Sequence, residues 1–229
     1  VISFAGNIDV NYAAELVEKY FESALQKRKF ADRKKPLSLA HKSLFKTKDI
    51  EQAHIAFAYP SLAREDELMD AALVVNAVLG GGMSSRLFQK VREQMGLAYT
   101  VYSYISSFTE GGLLTVYAGV NPANVAKAQE AIEAVIAEFC RNKLTQDELV
   151  RGREQLKSSL VLAQENTASQ MLAYGKYLLY NDAVLDFEKR IRGIDAISME
   201  DCEKAISLNF GKENMAASIV GKVERPLEI

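Results

Sequence analysis

The most restrictive feature of this sequence is residues 79–99, which read LGGGMSSRLFQKVREQMGLAY. Three glycines end one element, a serine pair begins a short helix predicted over Ser84–Met95, and Gly96 stands where a helix commonly ends. Two β-rich runs follow at once, Tyr99–Ser107 and Leu113–Val120, and the turn sequence between them is typical of an antiparallel hairpin. The stretch therefore predicts a helix and a hairpin on either side of a glycine turn.

Hydrophobic spacing predicts the other elements of the chain. Strands are predicted at Val1–Ala5, at Ile50–Tyr59, where Pro60 is expected to end the strand, and at Met215–Val223. Helices are predicted over Tyr12–Leu25 and Asp66–Leu79, from Asn121 to about Phe139, from a capping box at Thr145–Glu148 onward, over Ala168–Tyr180 and Leu185–Gly193, and from Ser198 to about Asn209. The basic run Gln26–Lys35 is interpreted as a solvated helix end and linker.

The two ends of the chain share a weak sequence pattern. Residues 2–8 (ISFAGNI) and 217–223 (ASIVGKV) both combine an apolar strand, a glycine, a polar residue and a β-branched residue. The pattern is compatible with a duplicated protein and, about equally, with two unrelated strands that each end in glycine. Because Val1–Ala5 is interpreted as a buried strand with no Met or targeting segment before it, we expect the sequence to be part of something longer.

Composition excludes several classes of function. The chain has 229 residues, of which 48% are hydrophobic and 25% charged, and its net charge of −2 offers no basic surface for nucleic acid. No apolar run is long enough to cross a membrane, so no membrane partner is expected. Cys140 and Cys202 stand far apart, are expected to be small apolar fillers on helices, and are compatible with a reducing compartment.

Motifs for the common catalytic centres are missing. The only histidines are His41 and His54, so neither HExxH nor HxxEH can be written, and His54 is interpreted as a satisfied strand residue rather than a metal ligand. Neither Ser84 nor Ser85 lies in a GxSxG sequence, and both are expected to cap the helix. Gly80–Gly82 lacks the GxxxxGK[ST] and GxGxxG patterns of nucleotide-binding loops.

Arg92 and Tyr99 leave two interpretations open. In one, Arg92 pairs with the neighbouring Glu93 on a helix surface and Tyr99 is an ordinary strand aromatic, which the spacing alone favours. In the other, a permanent cation and a phenol grip a peptide carbonyl or an oxyanion. The triple glycine before them favours the second interpretation, because it is costly for folding unless the backbone must bend or approach a ligand.

At these residues the sequence resembles the pitrilysin and mitochondrial processing peptidase family of zinc metallopeptidases, and in particular the C-terminal half of bacterial members. The specific match is LGGGMSSRLFQKVREQMGLAYTVYSY at 79–104, while VISFAGNID at 1–9 is similar to the end of the family's N-terminal half and EQAHIAFAYP at 51–60 to the first strand of its C-terminal half. The resemblance implies an α+β fold, with a mixed or antiparallel sheet and helices packed on one face.

The resemblance also implies that two halves enclose a chamber and contribute different residues to the active site. The first half carries HxxEH and a distant Glu that bind zinc and activate water, and the second carries an Arg and a Tyr seven residues apart that contact substrate. These fall on Arg92 and Tyr99, which are implied to hold the substrate backbone and the developing oxyanion. Gly80, Gly81, Gly82 and Ser84 are implied to bind substrate. Because HxxEH is missing, this chain is expected to bind no metal, with zinc in the other half.

From the same resemblance, residues 1–35 are expected to be the tail of a preceding N-terminal half, residues 36–47 a linker, and residues 48–229 the C-terminal half. The expected partners are a zinc-binding N-terminal half and a peptide substrate, with a homodimer left open, in a bacterial cytoplasm. Two functions remain open at this point: half of a zinc endopeptidase or oligopeptidase, and a catalytically inactive structural subunit or peptide-binding partner of the same fold.

Overall fold

The computed structural model describes residues 1–24, 39–181, 183–210 and 215–229. Its strands are β1 (Lys42–Thr47), β2 (Ala53–Ser61), β3 (Ala98–Phe108), β4 (Gly111–Val120) and β5 (Ala216–Gly221). Its α-helices are α1 (Val10–Phe21), α2 (Met69–Gly80), α3 (Val125–Asn142), α4 (Gln146–Gln164), α5 (Thr167–Asn181), α6 (Phe187–Ala196) and α7 (Met199–Asn209). Short 3₁₀ turns follow α1 and precede α3, and a π-helix covers Phe88–Gln94.

The five strands form one mixed sheet in the order β1-β5-β2-β4-β3. Strands β1 and β5 pair in parallel, and the other neighbouring pairs are antiparallel. The predicted hairpin is confirmed, with Tyr102 opposite Tyr117 in its register. The expected α+β class with a mixed sheet is therefore correct.

One face of the sheet is buried under helices. Along β2, residues Ile55 and Phe57 are fully buried and alternate with half-buried residues, because successive side chains of a strand point to opposite faces. Each such fully buried apolar side chain contributes about 1.5–3 kcal/mol. Helix α2 packs against β3, and α7 packs against α2 and β2. The opposite face of the central strands carries half-buried and exposed residues.

The chain divides into two compact units. One combines Val1–Lys35 with Lys157–Arg192, and the other combines Pro36–Leu156 with Gly193–Ile229 and contains the sheet. In the first unit, the Ser3 hydroxyl donates a hydrogen bond of 2.9 Å to the backbone carbonyl of Met171 in α5. The assignment of residues 1–35 and 48–229 to two halves of a larger protein stays a prediction.

Three predictions about the strands are wrong. Residues 1–5 form no strand, because no neighbouring strand supplies hydrogen bonds to them within the described residues, and Val1 and Phe4 are exposed. The expected linker 36–47 contains strand β1, because Lys42–Thr47 pairs along the length of β5. Pro60 does not end β2; it lies beyond Ala58, the last β2 residue that pairs with β5, where a missing N–H is tolerated.

The predicted helices are present with shifted ends. Helix α1 begins at Val10 because Asp9 caps it through the backbone N–H of Tyr12, at 2.9 Å. At its predicted C-terminal end Glu22–Ala24 form a 3₁₀ turn, and Leu25 and the basic run Gln26–Lys35 lie outside the described residues. No helix within the described ranges is both long and apolar enough to cross a membrane.

Candidate functional site

The glycine loop after α2 allows close packing. A Cβ added at Gly80 would lie 2.5 Å from the backbone nitrogen of Ser103, and one at Gly81 would lie 2.6 Å from the Cα of Ala77. At Gly82 the nearest atom would be the Nε2 of Gln155 at 3.5 Å, which is ordinary contact. Packing of α2 on β3 therefore accounts for Gly80, whereas it leaves room for a side chain at Gly82. Since none of the three has a positive φ, the loop makes no turn that only glycine can adopt.

The serines that follow do not cap the helix as predicted. Ser84 is exposed, and Ser85 is buried with a hydroxyl that has no hydrogen-bond partner among the described residues. The helix starts at Arg86 without a side-chain cap, and the Gln89 amide donates to the carbonyl of Met83 at 2.7 Å. Ser84 therefore stays a substrate-binding candidate from the resemblance alone.

The segment that carries Arg92 is a π-helix rather than the predicted α-helix. Its wide turns are closed by a bond from the Met95 N–H to the Lys90 carbonyl, at 3.1 Å. Gly96 ends it as predicted, with φ of +60° and its N–H on the Arg92 carbonyl at 3.1 Å. Short π-helical segments are rare and occur frequently at functional sites.

The structure brings Arg92 and Tyr99 together. The Arg92 guanidinium carbon lies 4.8 Å from the ring centre of Phe88 and 5.9 Å from that of Tyr99. Its contact with Glu93 is long, at 3.9 Å, and the Arg92 side chain is 42% exposed. The Arg92 guanidinium therefore lies near two aromatic rings, and its side chain is partly open to solvent.

Tyr99 is presented by an irregularity in the sheet. The register between β3 and β4 shifts between Ala98 and Thr100, so Tyr99 is the extra residue of a bulge. Bulges turn a side chain away from the regular pleat and are common beside active sites. Tyr99 is 72% exposed, which leaves its hydroxyl accessible.

A shallow cavity of about 330 Å³ lies beside these residues. Arg92, Phe88 and all three loop glycines line it, together with Met83, Thr100, Val101, Tyr102 and Ser103. Tyr99 and Ser84 do not line it. The cavity offers a cation, exposed backbone and aromatic surface, which is a suitable combination for an extended peptide.

A second arginine of the same segment anchors it and escaped the sequence analysis. The Arg86 Nε and Nη2 donate to the two carboxylate oxygens of Glu148, both at 2.7 Å, and Nη2 also donates to the carbonyl of Lys143 at 2.6 Å. Its guanidinium lies 4.9 Å from the ring centre of Phe139. Glu148 also forms the predicted capping box with Thr145. The sequence predicted this cap but not the pairing of Glu148 with Arg86.

Burial alone would raise the pKa of Glu148, but the hydrogen bonds from Arg86 and Thr145 outweigh burial and hold it below its usual value. The carboxylate is thus ionised and paired at neutral pH. The pair fixes the start of the Arg92 segment to the start of α4.

Four rings cluster on the open face of the sheet, and this cluster was also missed. The ring of Tyr102 lies 5.0 Å from that of Tyr117 and 6.1 Å from that of Tyr104, and the His54 Nδ1 lies 2.6 Å from the Tyr117 hydroxyl. Burial, followed by the nearby Tyr102, raises the pKa of Tyr117. The alternation of Tyr102 and Tyr104 along one strand was the available signal. The expectation that His54 is a satisfied strand residue is confirmed.

Metal-donor side chains do not converge in the described part of the chain. Among those residues no group of three or more His, Cys, Asp or Glu side chains could hold a metal ion, and the only two histidines of the sequence are His41 and His54. Zinc therefore does not fit the donor groups that the described residues bring together. Neither Cys140 nor Cys202 forms a disulfide, and both lie on helices as expected. Burial raises the pKa of Cys202 to about 11.

Comparison with known proteins agrees with this fold. A family model for the peptidase M16 inactive domain matches residues 1–156. The chain is 40% identical over 200 residues to the uncharacterized zinc protease YmxG of Bacillus subtilis, covering 87% of this chain and 48% of that protein. An uncharacterized zinc protease of Streptomyces coelicolor is 34% identical over 231 residues, covering 98% of this chain and 50% of that protein.

Solved structures share the fold at lower identity. A peptidase M16 inactive domain from Pseudomonas fluorescens superposes with a TM-score of 0.82 and 23% identity, covering 97% of this chain and 54% of that one. A chain of complex III2 from Candida albicans superposes with a TM-score of 0.74 and 17% identity, covering 96% of this chain and 54% of that one.

A mixed sheet covered by helices on one face, shared with a solved peptidase M16 inactive domain and with relatives named zinc proteases, defines a domain of the zinc-protease type. The chain belongs to the peptidase M16 inactive-domain family. It spans about half the length of the curated relatives that it matches.

Proposed function

We propose that this chain is the non-zinc-binding half of a zinc-dependent endopeptidase or oligopeptidase and that it binds the peptide substrate through Arg92 and Tyr99. The observation that carries the proposal is the position of the Arg92 guanidinium, stacked between Phe88 and Tyr99 at the edge of a cavity. An arginine with open donors and an exposed phenol both donate hydrogen bonds to peptide carbonyl oxygens. In the whole enzyme they would also stabilise an oxyanion.

The glycine loop adds backbone to this proposed peptide site. Gly81 and Gly82 are exposed and line the cavity, and Gly82 has room for a side chain that the sequence does not use. A peptide could approach the backbone there more closely than it could past a Cβ. In the complete enzyme we place zinc in the separate N-terminal half.

The proposal is tested with a protein that joins this chain to an HxxEH-bearing half. Arg92→Ala and Tyr99→Phe are expected to lower kcat/KM for an unfolded fluorogenic peptide by roughly ten- to a thousandfold, because each removes a donor to the substrate. Arg151→Ala, at an exposed position of α4, is the matched control and should retain wild-type turnover. Unchanged turnover in both Arg92 and Tyr99 variants would reduce the pair to a structural role.

The isolated chain is expected to bind no stoichiometric zinc and to cleave no peptide, since its sequence has no HExxH or HxxEH and its described residues bring no metal donors together. One equivalent of zinc that survives dialysis against a weak chelator would contradict this. A cytoplasmic location in bacteria and a homodimer belong to the same proposal, and the oligomeric state is measured by light scattering after gel filtration.

A structural subunit of the same fold is the second candidate, and it is favoured by the likeness to a chain of Candida albicans complex III2. That likeness concerns the fold alone. A purely structural role gives Arg92 no reason to keep its donors open at a cavity, so peptide turnover by the joined protein separates the two candidates.

A further inference from the structure

The four-ring cluster on the open sheet face leaves aromatic surface exposed to solvent. Tyr102 is 40% exposed and Tyr104 is 44% exposed, although each ring contacts another aromatic ring. Both side chains lie on the face opposite the buried Val101 and Ser103. Their apolar surface is therefore available to a ligand.

This cluster is continuous with the proposed peptide site. Tyr102 lines the same cavity as Arg92 and the loop glycines, and its ring is the one that contacts both Tyr104 and Tyr117. Because Tyr102 belongs to both the cavity and the cluster, we expect a peptide held at Arg92 to place a neighbouring side chain near the rings. Side chains of an extended peptide that share a face repeat every 6.4–6.8 Å or so, close to the 6.1 Å between the Tyr102 and Tyr104 rings.

The chemistry of the cluster selects for a neutral aromatic side chain. Exposed rings attract both aromatic side chains and cations. The Arg92 guanidinium on the same cavity repels a lysine or arginine there, whereas it does not oppose a phenylalanine. The His54 contact with the Tyr117 hydroxyl holds that ring in place, so His54 is a positioning residue.

We propose that Tyr102, together with Tyr104 and Tyr117, forms a subsite that binds an aromatic side chain of the peptide held at Arg92. The subsite rests on the proposed function, because it needs a peptide anchored at the neighbouring cation. It assigns a substrate preference: unfolded peptides with an aromatic residue close to the bound carbonyl.

The test uses this chain and fluorescently labelled ten-residue peptides of Ser and Ala, in which a single Phe is moved one position at a time, with matched peptides carrying Lys or Ala instead. Binding is measured by anisotropy. For the wild type, one or two Phe positions should bind about 3- to 10-fold more tightly than Ala, and Lys at those positions should not. Phe peptides that bind no better than Ala peptides at any position would overturn the subsite.

Variants separate the subsite from the anchor. Tyr102→Val and Tyr102→Thr place a β-branched residue in the strand and should abolish the preference for Phe over Ala. Tyr117→Phe keeps the ring and should retain most of the preference. Phe108→Val, also an exposed aromatic of β3 but about 20 Å further along the strand, is the matched control and should change nothing.

Arg92→Ala should weaken the Phe and Ala peptides equally, which distinguishes failure of the two proposals. If Arg92→Ala has no effect on any peptide, the proposed function fails. If Tyr102→Val and Tyr102→Thr both fold, as thermal unfolding reports, and both keep the Phe preference, the subsite fails while the Arg92 anchor stands. Equal loss in Phe108→Val would show non-specific adsorption and would also overturn the subsite.

Discussion

The two arginines of the signature segment should separate into one that stabilises the fold and one that binds ligand. Arg86 makes two hydrogen bonds of 2.7 Å to Glu148, and the side chains of the pair are only 21% and 15% exposed. Arg92 has a single 3.9 Å contact with Glu93 and is 42% exposed. The perturbation that tests this division is Arg86→Ala compared with Arg92→Ala.

The expected loss of stability in Arg86→Ala lies between the values known for buried and for exposed ion pairs. Removing one partner of a fully buried ion pair costs about 3–5 kcal/mol, and an exposed pair contributes about 0–1 kcal/mol. The low exposure puts Arg86 near the first limit, while the retained bond from Thr145 to Glu148 lowers the cost. We expect Arg86→Ala to lower the free energy of unfolding by about 2–4 kcal/mol, or the Tm by about 4–15 °C. Arg92→Ala should change it by less than about 0.5 kcal/mol.

Urea unfolding is the assay, followed by circular dichroism and by tyrosine fluorescence. The two signals must give coincident transitions before a single free energy is extracted, because the chain divides into two compact units. A double-mutant cycle with Glu148→Ala isolates the pair and should give a coupling energy above about 1 kcal/mol. The reasoning is refuted if the coupling is near zero, or if Arg92→Ala destabilises the protein as much as Arg86→Ala.

Three further predictions concern single positions. Because the pKa of Glu148 is held below its usual value, the ionised carboxylate stabilises the folded protein above about pH 4.3, and this stabilisation is lost as the pH falls through the lowered pKa. The free energy of unfolding of the wild type should therefore fall more steeply below about pH 4 than that of Glu148→Gln. Urea titrations at each pH measure this difference. Gly80→Ala should lower the Tm because its Cβ would meet Ser103 at 2.5 Å, whereas Gly82→Ala should keep the Tm and weaken only peptide binding. Lys143 has φ of 56°, so Lys143→Gly should stabilise the protein by about 1 kcal/mol, and a lower Tm would contradict the assigned strain.

Local signals in the sequence were sufficient for most of the fold. The hairpin, the helix start at Ser198, the capping box at Thr145 and the helix end at Gly96 each depend on a few adjacent residues, and all were predicted correctly. The strand at residues 1–5 was predicted wrongly for the converse reason. A strand needs a neighbour, and its apolar pattern does not reveal whether that neighbour exists.

Arg92 and Tyr99 were candidates from the sequence, but their arrangement in space could not be predicted from it. The seven-residue spacing between Arg92 and Tyr99 does not indicate how close the two side chains are. A π-helix and a bulge place the Arg92 guanidinium carbon 5.9 Å from the ring centre of Tyr99. Both devices insert an extra residue into a regular element, and no single residue type marks them. The Arg86–Glu148 pair was missed because its partners lie 62 positions apart.

The glycines at positions 80 and 82 occur for two different reasons. Gly80 is accounted for by the approach of α2 to Ser103, which fixes the height of the loop above β3. Gly82 is exposed, has ordinary φ and has space for a side chain, so folding gives no reason for it. A residue that the fold does not need, on the wall of the cavity that Arg92 and Tyr102 also line, is best explained by what approaches it from outside. The exposed rings of the open face share Tyr102 with this cavity, which supports the proposal that the loop, the cation and the rings bind one peptide.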